Sequence, residues 1–231
     1  MSLENWWPPE LTEPNNSILG VIDARGANWS GKIIKIPNLQ KARLCRANLQ
    51  GADLSGCNLD DSDLKLARYD SKTIWPTGFN YQKSGAIGPG AKLNAVFLSG
   101  ADLRGMDFRG ASCMGTYLSG ANLSGAILDG VRLISADLRC AQMQGAMCRG
   151  ASFTGSQLNQ ADFRGADLSD AALDGAESIE GADFSFATGL ENIASELLRR
   201  PYKELDCWNP LTRSTTRASL EQHLKDYDGK S

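Results

Sequence analysis

Few side chains in this 231-residue chain are of the kind that do chemistry. There is one histidine, His223, in a polar tail. Histidine moves protons most readily near neutral pH, but here no second histidine stands beside it, and a solvated helix residue is the expected role. Six cysteines, Cys45, Cys57, Cys113, Cys140, Cys148 and Cys207, are scattered without a CxxC pair, so zinc and dithiol chemistry have little support. They read as small core residues or free thiols of a reducing compartment. Gly85-Ala86-Ile87-Gly88-Pro89-Gly90 is rich in glycine but lacks the lysine and the strand–turn–helix setting of a phosphate loop. Carboxylates recur with an arginine two positions on, as in Asp102/Arg104, Asp107/Arg109, Asp137/Arg139 and Asp162/Arg164. No unique carboxylate pair stands out, and a solvated, mixed-charge surface is expected. No catalytic residue, metal ligand or cofactor site is assigned.

The elements that carry these residues follow from a period of five. From Ala24 to Ile74 and from Leu93 to Leu173, every fifth residue is a large apolar centre, called position i. Ala47-Asn48-Leu49-Gln50-Gly51 and Ala101-Asp102-Leu103-Arg104-Gly105 show the unit: small at i−2, Asp or Asn at i−1, polar at i+1, often Gly at i+2. On an α-helix five residues turn by about 500°, which would smear the leucines around the axis. On a straight strand an odd period would send alternate leucines to opposite faces. A short extended piece followed by a bend avoids both faults. It turns i−2 and i inward and i−1 outward, with glycine easing the corner.

Four bends close a square coil of about twenty residues, and successive coils stack as parallel strands roughly 4.8 Å apart. The spacing predicts about seven coils, with inward columns twenty residues apart. They are Leu98/Leu118/Leu138/Leu158, Leu103/Leu123/Met143/Phe163, Phe108/Leu128/Cys148/Leu168 and Leu93/Cys113/Leu133/Phe153/Leu173. In the first block Trp29/Leu49/Tyr69 and Ile34/Leu54/Ile74 align in the same way. This pattern resembles the pentapeptide-repeat family. The resemblance implies an all-β solenoid, a right-handed quadrilateral parallel β-helix, and the break at residues 69–79 looks like one seen in cyanobacterial members.

The expected organisation is an N-terminal capping segment (1–17), a first repeat block (18–74), an inserted loop (75–90), a second block (91–189) and a helical C-terminal tail (190–231). A one-residue slip precedes Ala182-Asp183-Phe184. Solenoid ends expose unpaired edges that need covering. Trp6 and Trp7 are candidates to plug the first coil or to contact a partner. Helical spacing of Leu190, Ile193, Ala194, Leu197 and Leu198 predicts a short capping helix over 190–200. Arg217 to Tyr227 is a second helix, with Leu220, Leu224 and Tyr227 as one stripe that either caps the rod or mediates dimerisation, leaving monomer and homodimer open.

The charge pattern bears on partners. Net charge is −3, too small to call for nucleic acid or a membrane surface. No run approaches the roughly 18 apolar residues of a membrane helix. The start, Met1 to Pro9, does not read as a secretory signal, so a cytoplasmic protein is expected. The resemblance also implies an alternative, because some family members mimic DNA and bind DNA gyrase. Such mimicry needs one strong sign of charge, whereas residues 18–74 carry nine basic and six acidic side chains and residues 91–189 carry seven and eleven. Lys32, Lys35, Lys41, Arg43 and Arg46 would spread over several faces, which argues against direct nucleic-acid binding. The expected function is a non-enzymatic scaffold for an unidentified protein partner.

Overall fold

Alternation along each five-residue unit places the small i−2 residue and the apolar centre on one side. In Ala121/Leu123, Ala141/Met143 and Ala161/Phe163 all six side chains are buried. A turn closes each unit: the N–H of Ala121 donates to the carbonyl of Leu118 (2.9 Å), and Ala141 to Leu138 and Ala161 to Leu158 (both 3.0 Å). The third residue of such a turn needs positive φ, which glycine adopts freely. Gly120 supplies it at φ 65°, but Cys140 (58°) and Gln160 (61°) take the same corner without glycine. A left-handed conformation costs a non-glycine residue about 1–2 kcal/mol.

The structure is a computed structural model and describes residues 15–16 and 21–225. It comprises two compact units, 1–92 and 93–231. Trp6, Trp7 and Tyr227 lie outside the described residues.

In the first unit, parallel bridges join residues about twenty apart: Asp23–Arg43–Asp63, Asn28–Asn48–Arg68–Ile87, Ile33–Asp53–Ile74 and Asn38–Asn58. Strand β1 (Asn15–Asn16) adds an antiparallel pair with β2 (Ile22–Asp23). Trp29, Leu49 and Tyr69 share a buried column as the spacing predicts. Ile74 does not join its expected column. One extra residue among 70–73 brings Ile74 level with Asp53, where it points outward and is 52% exposed. Trp75 therefore takes the inward register, its ring 5.5 Å from that of Tyr69. The register shift thus begins before the expected loop, and the ladder resumes at Ile87, whose N–H donates to the Ala67 carbonyl (2.7 Å). Between them lies a 3-10 turn, Tyr81–Lys83.

In the second unit four ladders step by twenty residues: Phe97–Tyr117–Asp137–Gln157, Asp102–Asn122–Gln142–Asp162, Asp107–Ile127–Met147–Asp167 and Ser112–Arg132–Ser152–Ala172. The first three then step by twenty-one, to Ser178, Asp183 and Thr188, which is the one-residue slip. The expected columns are in register: Leu98 N–H reaches Tyr117 O (2.8 Å), Leu118 reaches Asp137 (2.7 Å) and Leu138 reaches Gln157 (2.9 Å). Phe163 continues the aromatic column to Phe184, rings stacked at 5.3 Å.

The repeat stops at Gly189, and the chain becomes helical in short pieces. Helix α1 covers only Ala194–Leu197, and α2 (Tyr202–Leu205) follows Pro201. The helix expected over 190–200 is thus a single turn, because Pro201 cannot continue the backbone bonding of the residues before it. Strands β3 (Trp208–Asn209) and β4 (Ser214–Thr215) form a hairpin that leads into α3 (Thr216–Lys225).

Candidate functional site

Among the described residues, the outward positions of the repeat build its surface. The Asp-x-Arg motif shows how such a position is organised. Asp137 projects outward at i−1, and its carboxylate accepts the backbone N–H of Arg139 (3.1 Å). The guanidinium folds back and donates twice more, from Nε to Oδ1 (2.8 Å) and from Nη2 to Oδ2 (2.7 Å). Asp23/Arg25, Asp102/Arg104, Asp107/Arg109 and Asp162/Arg164 repeat this fork. The side-chain bond from Arg139 holds the Asp137 carboxyl below the usual carboxylate range, against a smaller opposing effect of burial. One unit of charge therefore cancels another within each motif.

Burial takes Cys57, Cys113 and Cys148 away from solvent. Desolvation pushes the Cys113 thiol up to about 12 and raises Cys148 further in the same direction. Cys45 is raised by burial and then by its bond to the Asp63 carboxylate (Sγ to Oδ2, 2.9 Å). Cys140 is exposed, at a corner. Among the described residues no three His, Cys, Asp or Glu side chains gather as metal ligands would. No described helix is long and apolar enough to cross a membrane. An open depression of about 470 Å³ in the first unit is bordered by residues 57–60 and 76–80, including Asp60, Asn80 and Phe79.

The tail residues singled out from sequence separate in the structure. Leu220 is fully buried, whereas Leu224 is 39% exposed. His223 packs against the last circuit of the repeat. Its Nε2 lies 3.0 Å from the Phe184 carbonyl, which can only accept, so that nitrogen carries the proton. Asn209 Nδ2 donates to Gly181 O (2.8 Å) and Thr216 Oγ1 to Ile179 O (3.1 Å). Arg200 reaches the carbonyls of Asp174 (3.3 Å) and Ala176. Four side chains of residues 190–225 thus meet carbonyls of the last circuit, two of which, Ile179 and Phe184, also accept the turn N–H groups of Ala182 and Ala187.

Eight pentapeptide repeats are matched in overlapping segments over residues 37–67, 90–125, 116–147 and 141–177, more than half of the chain. The chain belongs to the pentapeptide-repeat family. Among solved structures it is similar to a pentapeptide-repeat protein from the thylakoid lumen of Arabidopsis thaliana: 27% identity, 58% of this chain and 90% of that one covered, TM-score 0.35. It is also similar to HetL, a pentapeptide-repeat protein involved in heterocyst differentiation regulation in the cyanobacterium Nostoc: 28% identity, coverage 69% and 67%, TM-score 0.29. A plasmid-mediated fluoroquinolone resistance protein matches at 21% identity, with 77% of this chain and 85% of that one covered and a TM-score of 0.24. No curated protein matches.

The outward positions of this pentapeptide-repeat protein carry two neighbouring aromatics. Phe97 and Tyr117 occupy i−1, where most units carry Asp, Asn or Ser, and their rings stack at 4.4 Å and 2°. Phe97 is 75% exposed and Tyr117 41%. Two aromatics twenty residues apart at an outward position are visible in the sequence once i−1 is read as a ladder in its own right.

Proposed function

We propose that this pentapeptide-repeat protein is a non-enzymatic scaffold for protein–protein interaction, built as a right-handed quadrilateral β-helix and closed at its C-terminal end by a helical cap. The single observation that carries the reading is the ladder register of the second unit. Rung after rung, outward side chains fall in line on four sides, and the sides differ in what they present: stacked aromatics at Phe97/Tyr117, amides at Asn122/Gln142 between Asp102 and Asp162, apolar Ile127/Met147 between Asp107 and Asp167, and Arg132 between Ser112 and Ser152. A rigid array of that kind suits docking of another protein over a flat side. The right hand follows from the handedness of parallel crossovers. The cap reading is supported by the four donors that meet the last circuit's carbonyls. A reducing, cytoplasmic setting is part of the proposal and is supported by six unpaired cysteines, one of them exposed.

The test is affinity capture with chemical cross-linking from extract of the source cells, using the full chain. A protein partner cross-linked at residues of the ladder sides is expected; capture of none would end the proposal. The alternative, a DNA mimic acting on DNA gyrase, is opposed by the forked Asp–Arg pairs, which cancel charge where a mimic needs it to accumulate. In a supercoiling assay gyrase should stay fully active with micromolar protein added. Inhibition would reverse the ranking.

A further inference from the structure

The sides of the second unit differ in what a partner would meet. The aromatic corner is one place where surface chemistry departs from what the fold needs. At i−1, serine suffices in the other rungs Ser112, Ser152 and Ser178. Phe97 and Tyr117 instead expose apolar rings at the same position, at a cost in water that backbone pairing does not require. Stacking between the two rings supports their own rungs and leaves the outer face of the pair open.

The apolar surface continues around one corner. Met114, 36% exposed, precedes Tyr117 by three residues on the adjoining side, and Ile134 sits one rung above it (Gly115 N–H to Ile134 O, 2.8 Å). The strip is edged by polar groups. Asp137 follows Tyr117 on its ladder and is neutralised by Arg139. Arg132 precedes Ile134, which lies in the corner turn, by two residues; it is exposed, and has no carboxylate within ion-pair distance among the described residues. The uncompensated charge at the edge of the strip is therefore positive. An apolar centre with a polar rim and one free guanidinium is the composition of a docking surface whose occupant brings a carboxylate.

We infer that the corner formed by Phe97, Tyr117, Met114 and Ile134 beside Arg132 docks an acidic segment of a partner protein that carries an aromatic side chain. The ring of that segment lies against Phe97 and Tyr117, and its carboxylate pairs with Arg132. This inference rests on the scaffold reading.

The probe is a phage-displayed library of random peptides, selected on the full-length chain and counter-selected on the F97S/Y117S variant. Serine already occupies the equivalent position in other rungs, so the variant keeps its fold, and an unchanged thermal transition verifies this. Enriched peptides should pair an aromatic with Asp or Glu. Their affinity should fall by about tenfold or more in F97S/Y117S, by roughly threefold or more in R132E, and should weaken with added salt. Four outcomes overturn the inference: no enrichment, peptides that bind F97S/Y117S equally, basic peptides in place of acidic ones, or self-association of the chain through this corner. The cross-linking capture separates this inference from the scaffold proposal. A partner retained equally by wild type and F97S/Y117S removes the aromatic corner and keeps the scaffold. No partner for either protein removes the scaffold.

Discussion

The two units solve the same packing problem differently. In the second unit the column Leu98/Leu118/Leu138/Leu158 runs through four like side chains at a constant step of twenty, and Ile179 continues it after the slip. In the first unit the column Trp29/Leu49/Tyr69 meets a glycine, Gly88, at its next place. A Cβ there would lie 2.6 Å from the Tyr69 ring, so the ring itself occupies the space that a centre residue would fill. The Tyr69 hydroxyl donates to the Pro89 carbonyl (2.7 Å), which fixes the ring over that position. Trp75 and Tyr81 then pack edge-on against Tyr69 at 5.5 and 5.4 Å and stack on each other at 5.4 Å. The lesson is that one large side chain can serve two rungs if its neighbour gives up its own. The register breaks, and an aromatic cluster replaces the aliphatic column.

Substitutions in the two columns should differ in cost. Leu138→Ala, in the middle of the regular column and fully buried, should cost about 2–5 kcal/mol in chemical denaturation. A loss well under that range would mean that the regular column does not carry the second unit. Gly88→Ala should cost roughly 1–3 kcal/mol, because the methyl group must displace an aromatic ring held at both ends. Combining it with Tyr69→Leu should cost less than the sum of the two single changes, since the smaller side chain frees the space. Simple additivity would refute the shared-space account.

At the C-terminal end, Asn209→Ala should cost about 1–3 kcal/mol, since it removes the donor to the Gly181 carbonyl at a buried position. Hydrogen exchange should quicken in residues 176–189 first and leave the first unit untouched. The smallest effect is that of acid. Asp137 is held below the carboxylate range by Arg139, as Asp23 is by Arg25. A depressed folded-state value contributes stability that is complete above the unfolded value, near 4, and fades as pH falls through the lower folded value. The thermal transition should therefore drop between about pH 5 and pH 3, and less steeply in D137N/R139Q than in wild type. An unchanged transition over that range would deny the forked pairs any part in stability.

Much of the fold was legible because it is written as a period. Leu98, Leu118, Leu138 and Leu158 can be aligned on paper, and their burial follows from alternation plus a bend. The Ile34/Leu54/Ile74 column misled for a physical reason. Both Ile74 and Trp75 are apolar, and spacing alone cannot tell which of two adjacent residues faces inward when the chain adds a residue in the preceding corner. The tail was harder still. Helical spacing marked Leu190 to Leu198 as apolar on one face, but Pro201 limits the helices on either side of it to the single turns Ala194–Leu197 and Tyr202–Leu205. The stripe Leu220/Leu224 looked uniform, and only packing separated the buried residue from the exposed one.

The repeating unit is readable along the chain: which residue faces in, which faces out, and where the corner falls. These are local consequences of strand alternation and of turn chemistry, and they recur wherever the five-residue unit recurs. Tertiary structure alone decided what happens where the unit fails. Tyr69 filling the place of Gly88, the side chains of 200–223 reaching carbonyls of the last circuit, and two aromatics meeting face to face on an outer rung all join residues about twenty to forty positions apart. Their distances are set by how circuits stack, and no local preference encodes that stacking where the period is interrupted.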